Sequence, residues 1–278
     1  MAQSLLLKEL RTQNPLVHCI TNIVVANFQA NGLLALGASP IMADAIEETA
    51  EVAAVSSCTL LNIGTLDPSA VESMIAAGKV SSIKGRPLVL DPVGAGATAF
   101  RKDTVATLLE ELDITLIRGN AGEIASIAGV EWEAKGVDAG AGSANIEEAA
   151  KDVALRHRCL VAVTGETDIV TDGDKIIRIT GGHPLMSKIT GMGCLLSAVS
   201  AAFLSVGTHS PIDAVAYSLA YYKKAGELAA EPSSGPGDFA VYFLNALHQL
   251  DDDAIDVAQF IVEGGVSNDF SCSNDCRF

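Results

Sequence analysis

Short apolar runs alternate with longer segments of helical periodicity through most of the chain. The apolar runs at positions 16–20, 58–65, 87–90, 114–117 and 160–163 predict buried strands. A hairpin is predicted where the runs 169–171 and 175–179 flank Asp172 and Gly173. Strands that alternate with helices in this way indicate an α/β fold, in which helices flank a mostly parallel central sheet.

The segments between the strands have the apolar spacing of helices. Predicted helices cover residues 2–12, 23–36, 47–55, 68–77, 103–112, 121–128, 145–158, 212–230 and 238–250. We expect Asn22 to help cap the second helix, Gly78 to end the fourth, and a last acidic helix to reach about position 262. The Gly- and Ala-rich segment 129–144 is predicted to be a mobile connection.

No repeat, low-complexity block or linker divides the chain, which indicates one domain over residues 1–265 and a flexible tail at 266–278. The tail contains Cys272 and Cys276, whose spacing also allows a metal site or a small loop. Nearly half of the residues, 49%, are apolar but only 5% are aromatic, so small aliphatic side chains form the core. Such a core suits helices packed closely on a parallel sheet.

The formal net charge of −16 argues against nucleic acid or an anionic membrane as a partner, because both require a basic surface. Six of these charges belong to the segment after position 250, so the rest of the chain is only moderately acidic. The six cysteines form no C-x-x-C motif, which is typical of a reducing compartment. The apolar run at 5–7 is too short for a signal peptide, and we expect a cytoplasmic protein.

A glycine-rich turn precedes the most apolar helical segment. Gly191 and Gly193 let the backbone approach a ligand closely, and the first turn of a helix leaves N–H groups without intrahelical partners. This combination predicts a site for an anion such as phosphate, although a plain helix start explains the glycines equally well. Cys194 lies in this first turn, where we expect the helix N-terminus to lower the pKa of its thiol.

Four predicted strands also end in polar residues and glycine, at 62–65, 91–94, 118–120 and 164–166. In an open α/β sheet, ligands bind at the carboxyl ends of the strands. Asp91 and Glu123 offer oxygen ligands for Mg²⁺, and Arg118 offers a guanidinium for phosphate. The set predicts Mg²⁺-dependent phosphoryl transfer, whereas Asp91 as a turn cap and Glu123 as a helix-dipole partner are the structural alternatives.

The predicted helix after Asn22 contains amide side chains in place of charges, at Asn27, Gln29 and Asn31. A solvated helix would normally carry Lys and Glu on its outer face. The amides therefore indicate a small-molecule pocket or a subunit contact, and satisfied buried amides are the structural alternative.

Several of these segments resemble the hydroxyethylthiazole kinase family, including Asp-Pro-Val-Gly-Ala-Gly-Ala at 91–97 and Thr-Gly-Met-Gly-Cys at 190–194. The others are 14–22, 30–40, 62–66, 117–124, 163–166 and 235–239. The resemblance runs from about residue 5 to about residue 265. It implies a three-layer ribokinase-like fold and phosphorylation of the primary alcohol of 4-methyl-5-(2-hydroxyethyl)thiazole, with ATP and Mg²⁺, in thiamine salvage.

The resemblance also implies roles for individual residues. Arg118 and Thr164 would contact ATP, and Asn120 and Glu123 match the N-x-x-E pattern of the fold. Asp91 and Glu123 would serve the metal. The residues that contact the thiazole or line its pocket would be Met42, Gly191, Asn22 and Thr65. Related proteins form homotrimers with the thiazole site between subunits.

Cys194 occupies the position at which the wider fold places an Asp that accepts the proton of the alcohol, and Gly191 and Gly193 would form the anion hole beside it. A pyrimidine-alcohol kinase or a nucleotide-dependent dehydratase on the same fold would be expected to have Asp there. A non-catalytic sensor of thiazole or nucleotide is the alternative from another class. It would be expected to lack Asp91, Glu123 or the glycines, all of which are present.

Overall fold

The computed structural model describes residues 5–130, 142–255 and 260–264. The described strands form one sheet in the order β2-β1-β3-β4-β5-β6-β7-β8-β9. These strands are β1 (Leu16–Ile20), β2 (Ser39–Ile41), β3 (Cys58–Asn62), β4 (Leu88–Asp91), β5 (Leu116–Asn120), β6 (Leu160–Thr164), β7 (Asp168–Thr171), β8 (Ile176–Ile179) and β9 (Ile261–Glu263). The pairs from β2 to β6 are parallel, and those from β6 to β9 are antiparallel.

Helices cover both faces of the sheet. They are α1 (Leu6–Gln13), α2 (Ala26–Leu36), α3 (Thr49–Val55), α4 (Pro68–Ile83), α5 (Ala99–Glu111), α6 (Ala121–Ala128), α7 (Gly142–His157), α8 (Met192–Val206), α9 (Pro211–Ala230) and α10 (Pro236–Gln249). One apolar cluster joins the sheet to α1, α2, α8, α9 and α10, and a second joins it to α3, α4, α5, α6 and α7. This arrangement confirms the predicted three-layer α/β fold.

Local signals explain where several elements begin. Asp67 caps α4 by accepting a hydrogen bond from the Ala70 N–H, and Pro68 follows as the first helical residue. Asn120 and Glu123 form a reciprocal capping box at the start of α6, whose predicted limits, 121–128, are confirmed. The predicted hairpin is also confirmed as the antiparallel pair β7 and β8.

Other predicted limits are wrong. Gly78 does not end α4 but lies buried inside it, where a Cβ would come within 2.5 Å of Leu112 Cδ1. The glycine therefore permits close helix packing. Helix α2 begins at Ala26, with Val25 and not Asn22 at its N-cap, and α7 begins at Gly142.

The segment after α10 is also not the predicted acidic helix. It contains a short 3₁₀ helix, Asp252–Ala254, and strand β9, which pairs with β8. Most of the predicted mobile connection, 131–141, and the tail at 266–278 with Cys272 and Cys276 lie outside the described residues. Among the described helices, none is long and apolar enough to cross a membrane.

The parallel register brings the polar strand ends together at one edge of the sheet. Asn62 is paired with Asp91 across β3 and β4, and Asn120 is paired with Thr164 across β5 and β6. Helix α8 packs against β1, β3 and β4 on one face. The glycine turn at the start of α8 therefore meets the strand ends, as the sequence predicts.

Candidate active site

Asp91 lies at the end of β4 and is completely buried. Its Oδ2 accepts hydrogen bonds from Asn62 Nδ2 at 2.7 Å and from Ser197 Oγ at 2.9 Å. Its Oδ1 has no hydrogen-bond partner and lies 4.0 Å from Arg118 Nη1. The carboxylate is thus held by neighbouring elements and does not cap the turn before Pro92, the structural alternative that the sequence allowed.

Burial raises the pKa of Asp91 to about 6, because the charged form loses its hydration, and the charge of Glu123 adds to this effect. The positive charge of Arg118 and the hydrogen bonds from Ser197 and Asn62 act in the opposite direction. A buried carboxylate with a perturbed pKa and one unpaired oxygen is typical of a functional site.

Arg118 joins the strand ends to the start of α8. Its guanidinium donates from Nη2 to Thr164 Oγ1 at 2.5 Å, while its Nε has no partner and the residue is only 8% exposed. A Cβ at Gly193 would lie 2.8 Å from Nη1, so a larger residue there would displace the guanidinium. Glycine at position 193 therefore lets the α8 backbone approach Arg118 closely.

Glu123 links α6 to the loop after β4. Its Oε1 accepts from the Gly94 N–H at 2.9 Å, and its Oε2 accepts from the Asn120 N–H at 2.8 Å. The structural alternative therefore holds in part, since Glu123 stabilises the start of α6. Each of its oxygens retains a further lone pair that can face a ligand.

Gly191 is the N-cap of α8 and has φ of +91°, which favours glycine. A Cβ there would come within 2.8 Å of Val25 Cγ1. The first N–H groups of the helix have no intrahelical acceptors, so they can bind an anion. The Met192 side chain is buried in the apolar core, which leaves its backbone to line the turn.

The thiol of Cys194 is half-buried and lies 3.6 Å from Asn22 Nδ2, which donates to it. Burial raises the pKa of Cys194 to about 11, and the charge of Asp91 adds to this rise. Hydrogen bonds from Asn62 and Asn22 and the charge of Arg118 lower it by less. The predicted lowering of this pKa is therefore wrong, because desolvation outweighs the field of the helix terminus.

The predicted thiazole residues lie at the same edge of the sheet. Asn22 is buried and also donates to Asn62 Oδ1 at 2.8 Å, which connects Cys194 to Asp91 through two amides. The hydroxyl of Thr65 accepts from the N–H of Ile23, the residue after Asn22, at 3.2 Å. Met42 follows β2 and packs half-buried against the apolar core.

The amide side chains around α2 divide into two groups. Asn22 and Gln29 are buried, and Gln29 Nε2 donates to the Cys194 carbonyl at 2.7 Å. Asn27 and Asn31 are exposed and hydrogen-bond to each other. The buried pair supports the site, and the exposed pair leaves an uncharged outer surface.

Three contributors to this network were not singled out as site residues by the sequence. Asn62 connects Asn22 to Asp91, and its only signal was its place at a strand end. Ser197 is one turn after Gly193, as a serine within an apolar helix. Arg101 donates to the carbonyls of Ile63, Val93 and Gly64, which joins the loops after β3 and β4. Its local sequence shows no sign of this role.

The two acidic residues fit a magnesium ion that is shared with substrate phosphates. Within the described residues, no group of three or more His, Cys, Asp and Glu side chains could hold a metal. Mg²⁺ commonly uses only one or two carboxylates and takes its other ligands from water and phosphate. The unpaired Oδ1 of Asp91 and the free lone pairs of Glu123 suit this kind of binding.

A family model, curated relatives and a solved structure that match this chain point to the same family. A model of the Hydroxyethylthiazole kinase family matches residues 7–253. The chain is 52% identical over 242 residues to hydroxyethylthiazole kinase from an Exiguobacterium species, a match that covers 87% of this chain and 92% of the relative. The solved structure of hydroxyethylthiazole kinase from Pyrococcus horikoshii OT3 has a TM-score of 0.85 at 36% identity, over 95% of this chain and 99% of that one. A ribokinase-like superfamily protein from Enterococcus faecalis V583, with a TM-score of 0.60 at 14% identity over 87% and 89% of the two chains, shares the fold.

Proposed function

Because the chain belongs to the hydroxyethylthiazole kinase family, we propose that the network around Asp91 and Arg118 is the site at which it transfers phosphate. The chain is a phosphotransferase that uses ATP to phosphorylate the primary alcohol of 4-methyl-5-(2-hydroxyethyl)thiazole, in thiamine salvage. The observation that carries the assignment of the site is a buried carboxylate and guanidinium, each with an unpartnered atom, beside the N-terminus of α8. Phosphate oxygens would accept from the Arg118 guanidinium, and a cation that accompanies the phosphates would offset the charge at Asp91 Oδ1.

Arg118 and Thr164 bind the phosphates of ATP in this proposal. The guanidinium offers planar donors that match phosphate oxygens, and Thr164 holds it in place. Asn120 lies beside Thr164 in the sheet and completes this side of the nucleotide site. The N–H groups of Gly193 and its neighbours stabilise the negative charge of the transferred phosphoryl group.

Asp91 and Glu123 would hold Mg²⁺ together with the phosphates. The ion would supply positive charge that offsets the charge of the phosphate oxygens. Asp91 is suited to this role because its Oδ1 lacks any hydrogen bond and its charge is otherwise poorly compensated. Calorimetric titration checks the assignment, since Mg²⁺ should tighten ATP binding to the native chain and have a much smaller effect on Asp91→Asn.

The thiazole alcohol approaches from the side of Asn22 and Thr65, with Met42 and Gly191 in contact with the ring. Cys194 then lies where it can accept the proton of the alcohol. Its raised pKa leaves most of the thiol protonated near neutral pH, so its contribution is smaller than that of the charged groups. Most of the rate enhancement in phosphoryl transfer comes from positioning and charge neutralisation.

Release of ADP tests the activity directly. The protein is incubated with Mg-ATP and a panel of small alcohols that includes hydroxyethylthiazole and hydroxymethylpyrimidine. We expect turnover that depends on the thiazole alcohol and is abolished in Asp91→Asn. Turnover with the pyrimidine alcohol alone would favour the pyrimidine kinase, and binding without turnover would favour the sensor.

We also propose that the active form is a homotrimer with the thiazole site at a subunit interface. Ile23 and Val24 are 81% and 66% exposed directly beside Asn22, and the outer surface of α2 bears Asn27, Asn31 and the exposed Leu34. Exposed apolar side chains next to uncharged polar ones suit a subunit contact. Light scattering should give about three times the chain mass of 28.7 kDa, and Ile23→Lys should lower this mass and raise the KM for the thiazole. A monomeric native protein with full activity would disprove the proposal.

The remaining proposals concern the chain as a whole. Residues 1–265 form a single kinase domain in this proposal, because all of the described strands belong to one sheet. The location is the cytoplasm, since the four described cysteines, including Cys194, are free thiols. Cell fractionation with a marker enzyme checks the location.

A further inference from the structure

Lys223 lies in the middle of α9 with a side chain that is only 8% exposed. A buried ammonium group is unfavourable unless it is paired and hydrogen-bonded. Its Nζ lies 3.3 Å from Asp168 Oδ1, and the Asp168 side chain is itself 4% exposed. The ammonium also donates to three main-chain carbonyls, those of Glu166 at 3.0 Å and of Gly165 and Gly181 at 3.3 Å.

These carbonyls belong to two loops that border the proposed site. Gly165 and Glu166 form the turn between β6 and β7, directly after Thr164. Gly181 belongs to the loop that leads from β8 towards the glycine turn at Gly191. Asp168 Oδ1 also accepts from the Gly165 N–H at 3.0 Å, so Asp168 and Lys223 together hold both polar groups of the Gly165 backbone.

Two neighbours of Lys223 on α9 contact the start of α8 and another part of the loop after β8. The hydroxyl of Tyr222 donates to the Met192 carbonyl at 2.7 Å, in the first turn of α8. Glu227, one turn further along α9, accepts from the Gly182 N–H at 3.1 Å. Helix α9 therefore makes hydrogen bonds to both sides of the proposed site, the nucleotide side at Gly165 and Glu166 and the anion-hole side at Met192.

We propose that Lys223, together with Asp168, is a positioning residue that orients Thr164 and Arg118 for ATP. The contacts run from Lys223 to the Gly165 backbone, from there to the adjacent Thr164, and from Thr164 Oγ1 to Arg118 Nη2. Arg118 depends on this support because its Nε has no partner of its own. The inference rests on the proposed function, in which Thr164 and Arg118 bind the nucleotide.

Steady-state kinetics of the full-length Lys223→Ala variant test the inference. We expect the KM for ATP to rise at least about tenfold, while the KM for hydroxyethylthiazole changes less than about twofold. The matched control is Lys79→Ala, because Lys79 is exposed and pairs with Glu111 on the outer helices. It should leave both KM values unchanged. Equal changes in the two KM values, or no change in either, would overturn the positioning role.

Chemical rescue distinguishes positioning from general stability. Propylammonium at millimolar concentration should lower the KM of Lys223→Ala for ATP, because a primary ammonium can donate to the same oxygens. Tetramethylammonium at equal ionic strength has no N–H donor and should have no effect. Equal responses to the two salts would show that the variant lacks only positive charge or stability, and this result would contradict the proposal.

Two further variants keep the result interpretable. Lys223→Arg retains the charge but replaces the compact ammonium with a planar guanidinium. If the alanine variant does not fold, we expect the arginine variant to raise the KM for ATP severalfold, and an unchanged value would overturn the inference. Thr164→Val distinguishes a failure of the Lys223 inference from a failure of the nucleotide assignment. If Thr164→Val raises the KM for ATP and the Lys223 variants do not, only the inference fails, whereas unchanged ATP kinetics in Thr164→Val would remove the nucleotide assignment and the inference with it.

Discussion

Two arginines at opposite edges of the sheet, the half-buried Arg11 and the buried Arg118, differ in their hydrogen-bond partners. Arg11, at the end of α1, donates from Nε to the Leu36 carbonyl at 3.1 Å and from Nη1 to the Leu250 carbonyl at 2.8 Å. Its Nη2 donates to the carbonyls of Leu247 and His248 at 3.0 and 2.9 Å. Arg118, at the opposite edge of the sheet, has one side-chain hydrogen bond, to Thr164, and an unpartnered Nε.

The difference separates a cation whose donors are used within the fold from one that has donors left for a ligand. Arg11 satisfies carbonyls at the C-terminal ends of α2 and α10, where a positive charge is favourable. Arg118 lies instead beside Asp91, whose Oδ1 is also unpartnered, in a place that the anion-binding end of α8 approaches closely. Buried polar groups without partners reduce stability. The unpartnered atoms of the two charged residues, Asp91 and Arg118, lie together beside the start of α8, and this pairing favours a ligand at that place.

The strongest test of this contrast removes Arg118. We expect Arg118→Ala to lower kcat/KM for ATP by about 10³-fold, because a donor to the transferred phosphoryl group is lost from a buried site. Its thermal stability should change little, since the native side chain is only partly satisfied. Unchanged ATP kinetics would remove Arg118 from the site.

Asp91 offers a test of the same region through pH. Its pKa of about 6 in the folded chain is higher than in an unfolded one, so the stability from this group is fully present only below about pH 4 and is lost as pH rises from there through 6. In EDTA, the native free energy of unfolding relative to Asp91→Asn should fall by up to about 3 kcal/mol between pH 4 and pH 8. Urea titrations at several pH values measure this difference, and a flat difference would contradict it.

Arg11 provides the converse experiment. Arg11→Ala leaves carbonyls of two helix ends without their donor, and we expect it to lower the free energy of unfolding by about 2–3 kcal/mol. Its kcat and KM values at 25 °C should stay within about twofold of the native values, because the side chain lies far from the strand ends of the proposed site. Urea unfolding and steady-state kinetics on one preparation check both expectations. A large kinetic defect in a folded variant would break the contrast between the two arginines.

Cys194 is expected to matter less than the charged groups. Cys194→Ala should lower kcat by about two orders of magnitude or less, because the raised pKa of Cys194 leaves little of the thiolate that can accept a proton. Cys194→Asp should remain active, since a carboxylate is ionised at neutral pH and can accept the proton of the alcohol. An aspartate variant that folds and binds the thiazole but is inactive would contradict the assignment of Cys194 as the proton acceptor.

The smallest expected effect is on the reactivity of the same thiol. Because its pKa is about 11, alkylation of Cys194 by iodoacetamide should be slow at pH 7 and rise about tenfold per pH unit up to about pH 10. Cys194→Ala is the control that accounts for labelling of the other cysteines. Rapid labelling at pH 7 would show that the helix N-terminus lowers the pKa of this thiol after all.

The sequence by itself determined the layout of the fold and brought out the polar strand ends at which the proposed site lies. Parallel strands are buried on both faces, so they appear in the sequence as apolar runs. A polar residue at the end of such a run can therefore be recognised from the sequence alone. Helix α6 was predicted within its true limits because the Asn120 and Glu123 cap is a local signal three residues apart. Gly78 was misinterpreted, because a glycine that ends a helix and one that permits close packing look alike in a sequence.

Only the tertiary structure decided the partners and the electrostatics of the site. Ser197 and Asn62 reach Asp91 across 106 and 29 positions of the chain, so periodicity does not show these contacts. The pKa of Cys194 follows from its burial and from the charge of Asp91, and these overturned the local expectation from its place in a helix. The contacts of Lys223 are likewise not visible in its local sequence, since its three carbonyl acceptors come from two loops that are distant in the chain. Burial of side chains and contacts between distant elements arise only in the folded chain, whereas strand and helix patterns are encoded by residues that are close in sequence.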